Sequence, residues 1–278
     1  MPLHLSQLWQ YPLKSAAATS LQAATVYAHG LEQDRRWLLV DLHGQMLTQR
    51  QQPHLGQLKV HAAPDVGLTL TWSAQTITAQ ALLDQLETVQ VWADQMPAHP
   101  VAESVNQQLS AWLGQAVRLM YCPDQAARPV DPVYAGLGQH TAFSDGFPLL
   151  LLTQASLDAL SLAWGQPLDV RRFRPNLVIG GECAAFAEDA WSSVQIGDLL
   201  FDLVKPCSRC VIPSLDPETQ QPTAGFARFL AAQRRQADGK VYLGQNVILR
   251  QAAAVTDFRQ ALGRLQVGDP VHVFFDKG

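Results

Sequence analysis

The chain has 278 residues and a mass of 30.5 kDa, too long for a disulfide miniprotein and enough for one large domain or two modest ones. Hydrophobic residues make up 47% and charged residues only 16%, against about 25% in an average soluble domain, so a full core is available and disordered, collagenous and low-complexity readings fail. A net charge of −4 with a pI near 6.0 provides no basic stripe for neutralising phosphates, which excludes nucleic-acid binding and requires any anionic ligand to be met by a local cluster.

The first 15 residues (MPLHLSQLWQYPLKS) hold no basic segment followed by an apolar one, and no stretch reaches about 18 uncharged apolar residues. The expectation is a soluble cytoplasmic protein with no membrane partner. Residues 37–42 (WLLVDL), the turn His43-Gly44 and residues 46–49 (MLTQ) predict a hairpin, with Gly44 supplying positive φ. Residues 68–72 and 76–78 alternate as a second hairpin, and 89–92 (VQVW) reads as another strand. Across 104–113, Val105, Leu109, Trp112 and Leu113 share one helical face, and Gly114 ends the helix. Residues 124–139, with Pro129, Pro132, Gly136 and Gly138, have the composition of a long linking loop. Residues 153–164 predict the clearest helix, capped by Thr153 and closed by Gly165. Strand patterns at 176–179, 199–204, 246–249 and 271–275 predict an antiparallel, barrel-like second half. One more helix is expected over 224–236, with Phe226, Phe229 and Leu230 inward and Arg228, Arg234 and Arg235 solvated. The fold class is mixed α+β, mostly β.

Four cysteines (Cys122, Cys183, Cys207, Cys210) are too few and too unevenly spaced for a disulfide framework and read as thiols. The CxxC of Cys207 and Cys210 admits several chemistries. A thioredoxin-like pair needs a helix N-terminus, which Val211, Ile212 and Pro213 resist; a structural zinc site needs two further ligands that Cys122 and Cys183 do not supply in sequence. A single reactive or metal-bound thiolate beside Arg209 and Lys205, or two inert thiols, remain open. Arg171, Arg172 and Arg174 run directly into an apolar strand, and Lys14 and Arg35-Arg36 stand in similar settings; each suits a phosphate or carboxylate, and each alone is as well explained by solvation. The eight histidines are scattered, Asp216-Pro217-Glu218 reads as a turn, and 188–191 (EDAW) as the start of a helical turn.

In order, YPLKS, DRRWLLVD, TQRQ, FSD, FRPNLVI, EDAW, IGD, KPCSRC and VGDPV resemble the MOSC-domain proteins with an N-terminal MOSC extension, the group of the mitochondrial amidoxime reducing component and bacterial hydroxylaminopurine-detoxifying relatives. The resemblance implies a molybdenum cofactor, a pterin dithiolene with a terminal phosphate, between a MOSC β-barrel and an inserted smaller α/β lobe. It implies that Cys210 ligates the metal and Cys207 does not. Lys14, Arg35, Arg174, Ser208 and Arg209 would meet the phosphate or pterin, and Ser144, Asp145 and Asn176 would complete the cofactor site. The implied division is 1–52 plus 141–278 for the barrel and 53–140 for the lobe; by family boundaries it is 1–125 and 126–276. Pyridoxal phosphate binding also travels with the family, as a label only.

The activity implied is reduction of small N-hydroxylated compounds (hydroxylaminopurines, amidoximes, hydroxylamines) to amines, with a detoxifying role. The alternative is a carrier of the cofactor or of its sulfur without turnover, and a dithiol redox protein is a third reading. The chain holds no C-x₄-C-x₂-C run, and neither a ferredoxin domain nor a membrane anchor is expected. Electrons are therefore expected from a separate donor, a ferredoxin-type protein or a flavoprotein reductase.

Overall fold

The computed structural model describes residues 1–64, 66–126 and 128–275. Its larger sheet has eight strands in the order Thr19–Leu21, His4–Gln10, Leu177–Gly180, Leu149–Thr153, Tyr242–Leu249, Leu199–Ser208, Ser193–Ile196 and Val271–Phe274. Neighbours are antiparallel except Leu149–Thr153 with Leu177–Gly180, and such a parallel pair requires a crossover, here the helix Gln154–Trp164. The last strand returns to His4–Gln10, the second in this order, through a His4–Pro270 bridge and the bonds Leu5 N to Asp269 O (2.9 Å) and Val271 N to Leu3 O (3.0 Å). Closure removes a free edge and makes the sheet a barrel.

Alternation sorts the apolar strands. Leu151, Leu177, Ile179, Val247 and Phe201 point into the barrel core, while Leu152 and Val178 point outward. The outward residues are covered by Leu157 and Leu160 of one helix and Phe226 and Leu230 of another, which is why LLLL and LVI read as unbroken apolar runs.

Four α-helices occur among the described residues: α1 Glu103–Leu113, α2 Pro132–Ala135, α3 Gln154–Trp164 and α4 Phe226–Arg234. The caps expected for α1 and α3 are present: Gly114 and Gly165 are left-handed, and the Thr153 hydroxyl accepts from Ser156 N. α4 is shorter than expected, and Arg234 is not solvated. It bonds Asp189 and Tyr242 O and lies 4.1 Å over the Phe186 ring, because the helix packs this side chain against the barrel rather than toward water. Residues 124–139 are also more ordered than a linking loop. Arg128–Pro129 pairs with His140–Thr141, and Asp131 caps α2 by accepting from Val133 N at 3.0 Å.

The lobe combines the sheet Lys59–Ala63, Gly67–Trp72, Gln75–Gln80 with a second one ordered Trp37–Val40, Arg118–Tyr121, Asp94–Pro100, Glu87–Val91. Leu39, Leu55, Val60, Leu68, Leu70, Leu109 of α1 and Leu119 fill the space between them. The hairpin expected over 68–78 is present, whereas the one over 37–49 has the Gly44 turn (φ 77) but only a single Val40–Met46 bridge. Met46 N donates instead to Gln90 O (3.1 Å), so the second arm is drawn to the neighbouring strand. Trp37–Val40, inside the segment 1–52, thus pairs with Arg118–Tyr121 of the lobe.

Candidate cofactor cleft

A cleft of about 510 Å³ opens between barrel and lobe, and all nine residues singled out from the sequence line it: Lys14, Arg35, Ser144, Asp145, Arg174, Asn176, Ser208, Arg209 and Cys210. They arrive from strand ends. Lys14 follows His4–Gln10, Arg35 precedes Trp37–Val40, Ser144 and Asp145 precede Leu149–Thr153, Arg174 and Asn176 precede Leu177–Gly180, and Ser208 to Cys210 finish Leu199–Ser208. That last strand slips register between Leu203 and Lys205 and again between Pro206 and Ser208, and such irregularities re-aim side chains at a site. Ser15 (φ 71), Arg35 (φ 48), Trp92 (φ 55) and Arg174 (φ 54) all line the cleft in left-handed backbone, a strained conformation for side-chain-bearing residues that concentrates at functional sites.

Tyr11 is the pivot beneath the cations. Its fully buried ring lies 4.3 Å from the guanidinium carbons of both Arg35 and Arg174, and its hydroxyl donates to Pro175 O at 3.0 Å. Burial pushes its hydroxyl up to about 12, so it stays neutral. Arg35 is anchored by Asp34 (2.5 Å) and by the Asn176 side-chain oxygen (2.9 Å). Arg174 has no carboxylate among the described residues, where its guanidinium's one hydrogen bond runs to Ala16 O at 2.9 Å; burial pulls the guanidinium down to about 10, still cationic at neutral pH. Lys14, itself buried, donates to Phe143 O (2.8 Å) and Asp145 (2.5 Å). Burial lowers the Lys14 ammonium. The walls of the cleft work to raise the Asp145 carboxyl, but Lys14 prevails and holds it below the usual carboxylate range.

The two thiols of the CxxC differ. Cys207 is half-buried and accepts from Arg209 Nη1 at 3.0 Å, while Cys210 is exposed on the loop after the strand. The loop continues as a 3-10 turn, Ile212–Ser214, so the pair does not stand at a helix N-terminus as a thioredoxin-like motif requires. No three His, Cys, Asp or Glu side chains converge among the described residues.

Of the arginines flagged together, neighbours part company. Arg171 pairs with Asp169 and Glu218, and Arg172 with Asp216 and the carbonyls of Pro213 and Leu215, so both buttress the loop after Cys210 while Arg174 alone reaches the cleft. Arg36 turns away to Asp124 and Cys122 O. Thr48, Gln49 and Arg50, inside the TQRQ motif, and Trp92, at a strand end, also line the cleft, and no local pattern in the sequence marks them as site residues. Arg50 and Lys14 stand 4.8 and 5.7 Å from the Trp92 ring. With Lys205, six cations (Lys14, Arg35, Arg50, Arg174, Lys205, Arg209) face one lining carboxylate, Asp145, in a chain of net charge −4. Arg209 Nε is buried with no partner. An elongated anion fits this arrangement: it would supply the acceptors that Arg174 and Arg209 lack, and Cys210 at the mouth offers a soft sulfur ligand.

The MOSC N-terminal beta barrel domain family matches residues 3–116, and the MOSC domain family matches residues 138–272. Mitochondrial amidoxime-reducing component 1 of Mus musculus is 31% identical over 293 residues, covering 97% of this chain and 82% of that protein. The protein of the same name from Homo sapiens is 31% identical over 300 residues, with 97% and 82% covered. A molybdenum cofactor sulfurase of Oryza sativa subsp. japonica is 28% identical over 301 residues, covering 97% of this chain and 35% of the sulfurase.

Proposed function

The chain belongs to the MOSC family, and from that premise we propose that it holds a molybdenum cofactor in the cleft and reduces N-hydroxylated compounds (hydroxylaminopurines, amidoximes, hydroxylamines) to amines. The observation that carries this reading is the convergence of six cations on one cleft with Cys210 at its mouth. Arg174, Arg209, Lys14 and Arg35 hold the terminal phosphate and pterin by charge-assisted bonds, with Ser208 beside them. Ser144, Asp145 and Asn176 fix its orientation, and the Cys210 thiolate takes the metal.

When bound, the cofactor supplies two-electron chemistry at the metal. Overall the substrate N–O bond breaks with uptake of two electrons and two protons: one proton forms the new N–H bond and the other completes water from the leaving hydroxyl. The chain's own share is binding, orientation and electrostatics. The electrons come from a separate ferredoxin-type or flavoprotein donor. Among the described residues no helix is long and apolar enough to cross a membrane.

The test is to purify the chain from a host that makes the cofactor, measure molybdenum and pterin, and assay N-hydroxy reduction with a chemical reductant. Stoichiometric metal and pterin with turnover supports the reading. Metal and pterin without turnover of any N-hydroxylated substrate favours a carrier, and their absence after such expression refutes both.

A further inference from the structure

The lining of the cleft holds aromatic rings as well as cations, Phe147 among them. Lys205, on the strand Leu199–Ser208 that leads to Cys210, stands 3.8 Å from the ring centroid of Tyr134 and 5.8 Å from that of Phe147. It makes no ion pair with a described carboxylate, so its ammonium is held by π-faces instead. Tyr134 and Phe147 meet edge to face, centroids 6.5 Å apart at 76°. Lys205 and Phe147 line the cleft, and Tyr134, on α2, backs both and is 44% exposed. α2 sits between the Asp131 cap and the left-handed glycines Gly136 (φ 70) and Gly138 (φ 85), with Val133 and Leu137 exposed on the same segment. At Gly138 a Cβ would lie 2.6 Å from Ala253 O, so the segment's course past the rim depends on that glycine. Uncovered aromatic and apolar surface of this kind at the mouth of a polar cleft marks a place where a ligand lies.

Resting on the reading that N-hydroxylated compounds are reduced beside Cys210, we propose that Tyr134, Phe147 and Lys205 form a substrate shelf that selects flat aromatic substrates over aliphatic ones. A planar arene or heterocycle lays its face or edge against the Tyr134–Phe147 pair, as aromatic side chains favour, and its ring or ether acceptors meet the Lys205 ammonium. An aliphatic substrate covers neither ring face and leaves that surface in water. None of the three is among the groups that hold the phosphate or metal, so the shelf acts on discrimination and not on cofactor retention.

The experiment pairs benzamidoxime with acetamidoxime on the holoprotein and on Tyr134→Leu, Tyr134→Phe and Phe147→Leu, reading kcat/KM by steady-state turnover and Kd by equilibrium dialysis. The wild type should prefer benzamidoxime. Tyr134→Leu and Phe147→Leu should each lower that preference by about 5- to 50-fold, chiefly through KM and Kd, the range expected for losing an aromatic stacking contact. Tyr134→Phe should keep the preference, because it retains the ring and loses only the hydroxyl. Turnover by all variants with an unchanged preference overturns the shelf and leaves the reductase reading intact. Binding of benzamidoxime that Tyr134→Leu weakens, in a holoprotein that reduces neither compound, keeps the shelf and overturns the reductase reading.

Discussion

Arg209 donates from Nη1 to the Cys207 sulfur at 3.0 Å, and among the described residues no side chain makes the equivalent bond to Cys210. The two sulfurs three residues apart are thus built for different work: one is tied back to the strand through a guanidinium that also holds Phe173 O at 2.7 Å, and the other faces the cleft mouth. Cys210→Ser is expected to abolish turnover and molybdenum retention, since serine replaces a soft ligand with a hard, protonated one. Cys207→Ser should keep a good part of both, because Arg209 retains its bond to Phe173 O. Metal content by mass spectrometry beside turnover checks this; equal loss from both variants points to a dithiol site instead.

Arg174 carries the second expectation. Held over the Tyr11 ring with no carboxylate partner among the described residues, it is free to pair with an anion in the cleft. Removing one charge-assisted contact to a phosphate costs about 1.5–3 kcal/mol, about 10- to 150-fold in affinity, and lysine substitutes poorly for a fork that donates two parallel bonds. Arg174→Ala should lose cofactor during dialysis, with Arg174→Lys intermediate. Full pterin content in dialysed Arg174→Ala contradicts the assignment.

A third expectation concerns acid stability. His29 is stacked on Tyr27 and bonded to Arg36, and burial, with the Arg36 charge second, pulls its imidazole from the ordinary 6.5 down to about 3. The unfolded chain therefore binds a proton below about pH 6.5 that the fold refuses until about pH 3, so stability falls as pH drops through that window. By pH 5 this group alone removes at most about 2 kcal/mol relative to pH 7. His29→Gln cannot take up that proton and should show a smaller loss between pH 7 and 5 in urea denaturation. Parallel losses in the two proteins exclude His29 as the cause.

Local signals were legible where one residue controls one element. Thr153 and Gly165 bound α3, Gly114 ends α1, and alternation fixes the hairpin over 68–78. The cleft was legible only through the resemblance, because its parts are brought together by pairings of distant segments: Lys14 to Asp145, Arg35 to Asn176, and Arg35 and Arg174 on one Tyr11 ring. No periodicity reports that Arg35 enters the cleft while Arg36 turns to Asp124, or that Arg174 enters while Arg171 and Arg172 brace a loop. The left-handed backbone at Arg35 and Arg174 accompanies that parting, and non-glycine residues adopt it only where tertiary contacts over-determine it. Arg234 failed for the same reason: its spacing on α4 reads as solvated, and only the barrel surface beside it supplies Asp189 and Phe186.

The last expectation concerns electrons. The chain contains no G-x-G-x-x-G after a strand to open a dinucleotide-binding helix and no plant-type cluster motif, so NADH alone should not sustain reduction of an N-hydroxylated substrate. A separate donor would approach the mouth of the cleft, whose lining includes Lys205 and exposed Arg50, and these add positive potential to that of the buried cations. A donor with an acidic face is favoured by that field, and steering of this kind acts on the association rate more than on affinity. Turnover with a ferredoxin-type or flavoprotein donor, at donor concentrations below saturation, should therefore fall as salt rises from about 0.01 to 0.15 M, where the screening length shrinks from about 30 to 8 Å. Reduction driven by a small chemical reductant should change little over the same range, because no protein encounter limits it. Arg50→Glu separates the steps further: it should slow the donor-driven reaction and flatten its salt dependence. Sustained turnover with NADH alone, or a donor-driven rate indifferent to both salt and Arg50→Glu, refutes electrostatic docking of a separate donor at this face.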